Sequence, residues 1–137
     1  IVFQAFRLIP SMTATQNVAI PLELAGRDDA AQAAEAALKT VGLGHRLTHY
    51  PDQMSGGEQQ RVAIARALAP KPRILLADEP TGNLDSITGE KVVNILFESA
   101  YEAGAALVLV THDANLARRC SRVIHIEDGL IAGDEKQ

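Results

Sequence analysis

Between Pro72 and Pro80 the chain reads Arg73-Ile74-Leu75-Leu76-Ala77-Asp78-Glu79, a short apolar run that ends in two carboxylates. A run of this length bounded by prolines suits a strand covered on both faces of a parallel sheet, and such sheets bind their ligands at the carboxyl ends of the strands. Asp78 and Glu79 are therefore placed where chemistry is usually done. In extended chain the two acids point to opposite sides and meet different surroundings. One can hold Mg²⁺ and the other can take a proton. A second buried strand is expected over Ala105 to Val110, and in a parallel sheet its end, Thr111-His112-Asp113, falls beside the two acids. His112 can donate a hydrogen bond to a phosphate oxygen or cap a short helix over Ala114 to Arg118, a task Asp113 performs better. Between the strands, Asp85 or Ser86 caps a helix in which Val92, Val93, Leu96, Phe97 and Ala100 share a core-facing side, and Gly104 ends it.

Upstream stands Ser55-Gly56-Gly57-Glu58-Gln59-Gln60-Arg61. Its first four residues form an S-x-x-E capping box, so a helix starts at Ser55. Capping does not account for two glycines in the first turn, since glycine is disfavoured in helices. Something must come close to that backbone. A helix N-terminus offers unpaired amides and the positive end of the macrodipole, and without side chains at Gly56 and Gly57 an anion such as phosphate can touch them. The alternative is a capped core helix with incidental glycines.

These residues carry a family resemblance. Met54-Ser55-Gly56-Gly57-Glu58-Gln59-Gln60-Arg61 resembles the signature motif of ATP-binding cassette (ABC) ATPases, with Met54 where leucine is usual and Glu58 where glutamine is commonest. Ile74 to Glu79 resembles the Walker B strand and its following glutamate, and Thr81-Gly82-Asn83-Leu84-Asp85 the D-loop. His112 resembles the switch histidine and Gln4, in Val2-Phe3-Gln4, the Q-loop glutamine. The segments around Phe3 to Pro10 and Asn17 to Leu22 look like the lipoprotein-release and macrolide-export group of these ATPases. The resemblance implies an α/β fold of the P-loop NTPase type, a parallel sheet with an inserted helical subdomain. It divides the chain into a Q-loop segment over residues 1–12, a helical subdomain with the signature over 13–69, and the C-terminal part of the catalytic core over 70–137.

The order of the remaining elements fits that division. The opening Ile1-Val2-Phe3, without an initiator methionine, is expected to be the end of a strand that begins upstream. Ala5 to Met12 is a loop richer in apolar residues than a loop needs, by resemblance a contact for a membrane subunit. Thr13-Ala14-Thr15-Gln16 is a second capping box; Pro21 either kinks its helix or marks a new first turn, and Gly26 closes it. Arg27-Asp28-Asp29 is expected to cap an alanine-rich helix from Ala30 to Thr40, stopped by Gly42. His45 and His49 are four apart but have no third ligand nearby. Arg122 to Glu127 alternates, Asp128-Gly129 is a two-residue hairpin turn, Leu130 to Gly133 returns, and the polar tail is expected to fray.

Composition excludes several function classes. A net charge of -4, with 13 basic residues spread along 137, gives no basic stripe, so nucleic acid is not an expected partner. The single Cys120 rules out an internal disulfide. No 18-residue apolar run is present, so contact with a membrane would come through a partner. DNA-repair and chromosome ATPases share the signature but insert coiled coils or zinc modules after the Q-loop; here about fifty residues and no cysteine intervene.

ATPases of this fold grip phosphates with G-x-x-x-x-G-K-[ST]. In this sequence no two glycines stand five apart and none of the four lysines follows a glycine. By resemblance that loop, Walker A, lies with further strands upstream of Ile1. Its strand belongs between those at Ala106 to Val110 and Val123 to Ile126, so the sheet is expected to be incomplete, with a gap there. For the complete protein the resemblance implies ATP and Mg²⁺ as ligands and a homodimer in which Ser55, Gly56, Gly57 and Glu58 of one subunit face nucleotide held by the other. Asp78 would hold Mg²⁺ through water, Glu79 would polarise the attacking water, and Gln4 and His112 would contact the γ-phosphate side, with Gln4 also sensing Mg²⁺. Asp85 would link the two sites. A transmembrane permease subunit is the implied partner, which places the protein in the cytoplasm at the inner face of the membrane. The chain alone is expected to be inactive and to need either its missing N-terminal part or a segment exchanged with another copy, in a swapped oligomer, to complete its sheet. A noncatalytic interaction module derived from the same family is the alternative.

Overall fold

The computed structural model describes residues 1–137. Strand β1 is short, Val2–Phe3, and leads through the Gln4 loop to two helices, α1 (Ala14–Leu24) and α2 (Ala30–Thr40). Thr13 caps α1 as expected, its hydroxyl accepting from Gln16 N–H while the Gln16 side chain accepts from Thr13 N–H. Pro21 lies inside α1, which continues past it to Leu24. Asp29 precedes α2 without capping it, because its carboxylate is taken by Arg27 at 2.7 and 2.9 Å. A single 3₁₀ turn, Pro51–Gln53, then delivers the chain to α3 (Gly56–Leu68), whose capping box at Ser55 is complete.

Strand β2 (Ile74–Asp78) lies in the middle of a three-stranded parallel sheet, with β1 on one side and β3 (Ala106–Val110) on the other. The crossover between β2 and β3 is α4 (Ser86–Glu102), capped by Asp85. The short α5 (Ala114–Ala117), capped by Asp113, leads to an antiparallel hairpin of β4 (Arg122–Glu127) and β5 (Leu130–Lys136). The hairpin is a separate sheet, not paired with β3, in keeping with the expected gap. The polar tail does not fray: β5 runs to Lys136, and Asp134 pairs with Arg122 across the strands at 2.6 and 2.8 Å.

Val18 and Leu22 of α1, Leu38 of α2, Val62 and Ile64 of α3, Leu75 of β2 and Leu96 of α4 form one continuous core. It covers one face of the sheet. On the other face Ile74, Leu76, Val108 and Val110 are 41–60 % exposed, so the expectation of strands covered on both sides holds for one side only. Helices α1 to α4 pack into the core on the Leu75 and Ala77 side.

Candidate functional site

The three parallel strands bring Gln4, Asp78, Glu79 and His112 to one edge. Phe3 stands opposite Asp78 and Asp78 opposite Val110, so Gln4 and His112 emerge on either side of the two acids. Asp78 is exposed on the open face, whereas Glu79, at φ 44°, turns toward β3. Its backbone N–H continues the ladder to the Val110 carbonyl at 2.9 Å. One carboxylate oxygen accepts from the His112 backbone N–H at 2.8 Å and lies 2.6 Å from His112 Nδ1, and the Thr111 hydroxyl is 3.4 Å from the other. The environments of the two acids thus differ, but not by the alternation of an extended chain: β2 ends at Asp78, and the left-handed backbone at Glu79 turns its side chain toward β3. His112 leaves the capping of α5 to Asp113 and has most of its ring in solvent.

Gln4 is tied to the loop after β2. Its amide donates to Asn83 Oδ1 at 3.3 Å, and Asn83 Nδ2 donates back to the Gln4 carbonyl at 3.0 Å. A side chain at Gly82 would collide with the Gln4 amide group, so glycine there is what lets the two loops touch. Asn83 was not among the residues expected at the site; its position in the loop beside Gly82 was the available signal.

The second half of the expected site is the start of α3. Ser55 Oγ accepts from Glu58 N–H, and the Ser55 carbonyl accepts from Gln59 N–H, leaving the amides of Gly56 and Gly57 with no acceptor inside the helix. Both Glu58 oxygens are engaged, one by Ser55 N–H at 3.2 Å and the other by Arg46 Nε at 2.7 Å. Partial burial pushes the Glu58 carboxyl up, but the Arg46 guanidinium and the Ser55 backbone and hydroxyl together outweigh it and hold the group below its usual value. The glycines also have an internal reason. A Cβ at Gly57 would stand 2.5 Å from Thr88 Cγ2, and one at Gly56 would stand 3.2 Å from Leu84 Cδ2. Asp85, hydrogen-bonded by Thr88, has its carboxyl held below the usual range by that residue's side chain and backbone N–H.

The two halves are not brought together within one chain. An open cleft of about 500 Å³ is lined by Ser55, Gly57, Glu58, Arg61, Thr88 and Lys91 among others, and by none of the four strand-end residues. A larger cleft of about 660 Å³ between α2, α3 and α4 contains neither set.

A sequence profile described as "ABC transporter" matches residues 1–82. The chain belongs to the ABC transporter ATPase family. It is 52 % identical over 136 residues to the lipoprotein-releasing system ATP-binding protein LolD of Shewanella denitrificans, covering 98 % of this chain and 58 % of that protein. To the macrolide export ATP-binding/permease protein MacB of Rhodopirellula baltica it is 48 % identical, over 99 % of this chain and 20 % of the relative. The dimeric structure of the bacterial ABC transporter cassette MJ0796 superposes with a TM-score of 0.83 at 48 % identity, covering 98 % of this chain and 61 % of the cassette. The fold is accordingly that of the P-loop NTPase cassettes, and the ABC-family chain spans just under three-fifths of the LolD relative. No helix is long and apolar enough to cross a membrane.

Proposed function

We propose that this ABC-family chain supplies the signature, Q-loop, Walker B and switch-histidine portion of an ATPase that powers transport through a membrane permease subunit. The observation that carries the proposal is the split geometry: acid, amide and imidazole groups converge at one strand edge, while the helix terminus with two free amides faces elsewhere. Two copies of a cassette can complete each other's sites from such halves. A homodimer held by ATP, at the cytoplasmic face of the membrane, is the assembly this reading requires.

The donor set fits the expected ligands. An exposed carboxylate and an amide oxygen are hard ligands of the kind Mg²⁺ accepts, so Asp78 and Gln4 would hold that ion, which neutralises phosphate charge when bound. Glu79 would orient and polarise the attacking water, since a carboxylate can accept its proton. His112, whose Nδ1 lies against Glu79 while most of its ring is in solvent, would donate to a phosphate oxygen. Ser55, Gly56 and Gly57 would bind the nucleotide of the second subunit through hydroxyl and amides, with Glu58 fixing the cap and Asp85 joining the two sites. None of these residues replaces the lysine and glycine-rich loop that this sequence lacks.

Calorimetric titration of the 137-residue chain with Mg-ATP tests this reading. Binding is expected only after an N-terminal fragment carrying a G-x-x-x-x-G-K-[ST] loop is added; binding by the chain alone would overturn the split-site account. The chain alone is also expected not to hydrolyse ATP, and turnover that Glu79→Gln abolishes in the uncomplemented chain would overturn that expectation.

A further inference from the structure

Among the polar side chains of helix α3 that the chemistry above does not use are Gln60 and Arg66. Gln60 is fully buried, and its Nε2 donates to the Phe3 carbonyl at 3.1 Å and to the Pro80 carbonyl at 2.6 Å, while its Oε1 has no donor. Its orientation follows from those neighbours, because two carbonyl oxygens accept only from the NH₂ end of an amide. A buried oxygen without a donor is unfavourable, so a helix that needed only packing here would be better served by leucine or methionine. What the amide adds is position.

Phe3 ends β1 opposite Asp78, and the ladder between β1 and β2 stops there. Past that point one Gln60 side chain bridges the two segments, at the carbonyl just before Gln4 and the carbonyl just after Glu79. Further along α3, Arg66 donates to the carbonyls of Phe6 and Arg7 at 3.0 and 2.7 Å. These two residues have φ of 55° and 52°, a left-handed conformation that side chains disfavour and that needs outside support. The helix that begins at Ser55 therefore holds the Gln4 loop from both ends.

We propose that Gln60 is a positioning residue that fixes Gln4 and Glu79 at one spacing from the signature helix, through the Phe3 and Pro80 carbonyls, with Arg66 holding the turn beyond Gln4. A shift of α3 caused by a ligand at Ser55 then carries both groups with it. The importance of that spacing rests on the ATPase reading above; the spacing itself is measured without nucleotide.

The test uses the isotopically labelled 137-residue chain in two variants. Gln60→Met keeps length and volume but removes the donor, and Val62→Ala opens a cavity at a fully buried position on the same helix. Both are expected to lower Tm, but only Gln60→Met is expected to move the side-chain amide signal of Gln4 and the carboxyl signal of Glu79. If those signals stay in place in Gln60→Met, or move as far in Val62→Ala, the positioning role is overturned. Should Gln60→Met fail to fold, the unaltered chain decides. The Gln60 Nε2 protons are expected to exchange with solvent at least about tenfold more slowly than those of exposed Gln32, and equal rates overturn the proposal. Failure of the Mg-ATP titration would remove the ATPase reading and leave these spectra as they are.

Discussion

A methyl group added at Gly57 would meet Thr88 Cγ2 at 2.5 Å and Val92 Cγ2 at 3.8 Å. Gly57→Ala is thus expected to lose stability despite alanine's better helix propensity, by about 1–3 kcal/mol for an overpacked contact. Thr88→Ser, which removes the offending methyl and keeps the hydroxyl, should restore most of it in the double variant. Urea unfolding of the single and double variants checks this, and a double variant as unstable as Gly57→Ala would refute the packing account. Glu58 gives a pH prediction. Its folded-state pKa is depressed, so it contributes stability that is present above the unfolded value and lost as pH falls through the folded one. Urea midpoints of the unaltered chain should therefore fall relative to those of Glu58→Gln as the pH drops below 4.5, the ordinary value of the group. The glycine pair was legible as a demand for close approach, but not the identity of the neighbour, which lies on α4 some thirty residues away. Gln60 left a fainter mark, an amide on the same helix stripe as Gly57 and Ile64, with partners 57 and 20 residues distant.

Among the elements, α1 depends on a polar residue that its capping box does not reveal. Asn17 is fully buried and uses its amide to close the preceding loop, its Oδ1 accepting from Ile9 N–H at 2.7 Å and its Nδ2 facing the carbonyls of Ile9, Met12 and Thr13 at 3.1 Å. Asn17→Ala strands those groups and is expected to cost about 1–3 kcal/mol, measured by denaturant unfolding. Asn17→Leu, similar in size, should not recover the loss; recovery would mean that the site needs bulk and not hydrogen bonds. Local signals located the helices well, because caps at Thr13, Ser55, Asp85 and Asp113 are chemistry between near neighbours in sequence. They misjudged Asp29 and the last strand for one reason: Arg27 and Arg122 each captured a carboxylate, and ion pairing is not written in capping or turn patterns.

For the whole molecule, the apolar runs at Ile74–Ala77 and Ala106–Val110 correctly indicated parallel strands, but a run alone does not say which of its faces the same chain covers. β3 has one unpaired edge, and such edges are templates for further strands. In light scattering the purified chain is expected to be larger than a monomer. A strictly monomeric, well-folded chain would count against exchange of strands between copies. The open face also has a meaning inside a cell. Chaperones and proteases sort proteins by exposed apolar surface, and Ile74, Leu76, Val108 and Val110 present such a surface on an otherwise folded chain. How much of this polypeptide accumulates would then report whether that face has been covered, before any turnover is assayed.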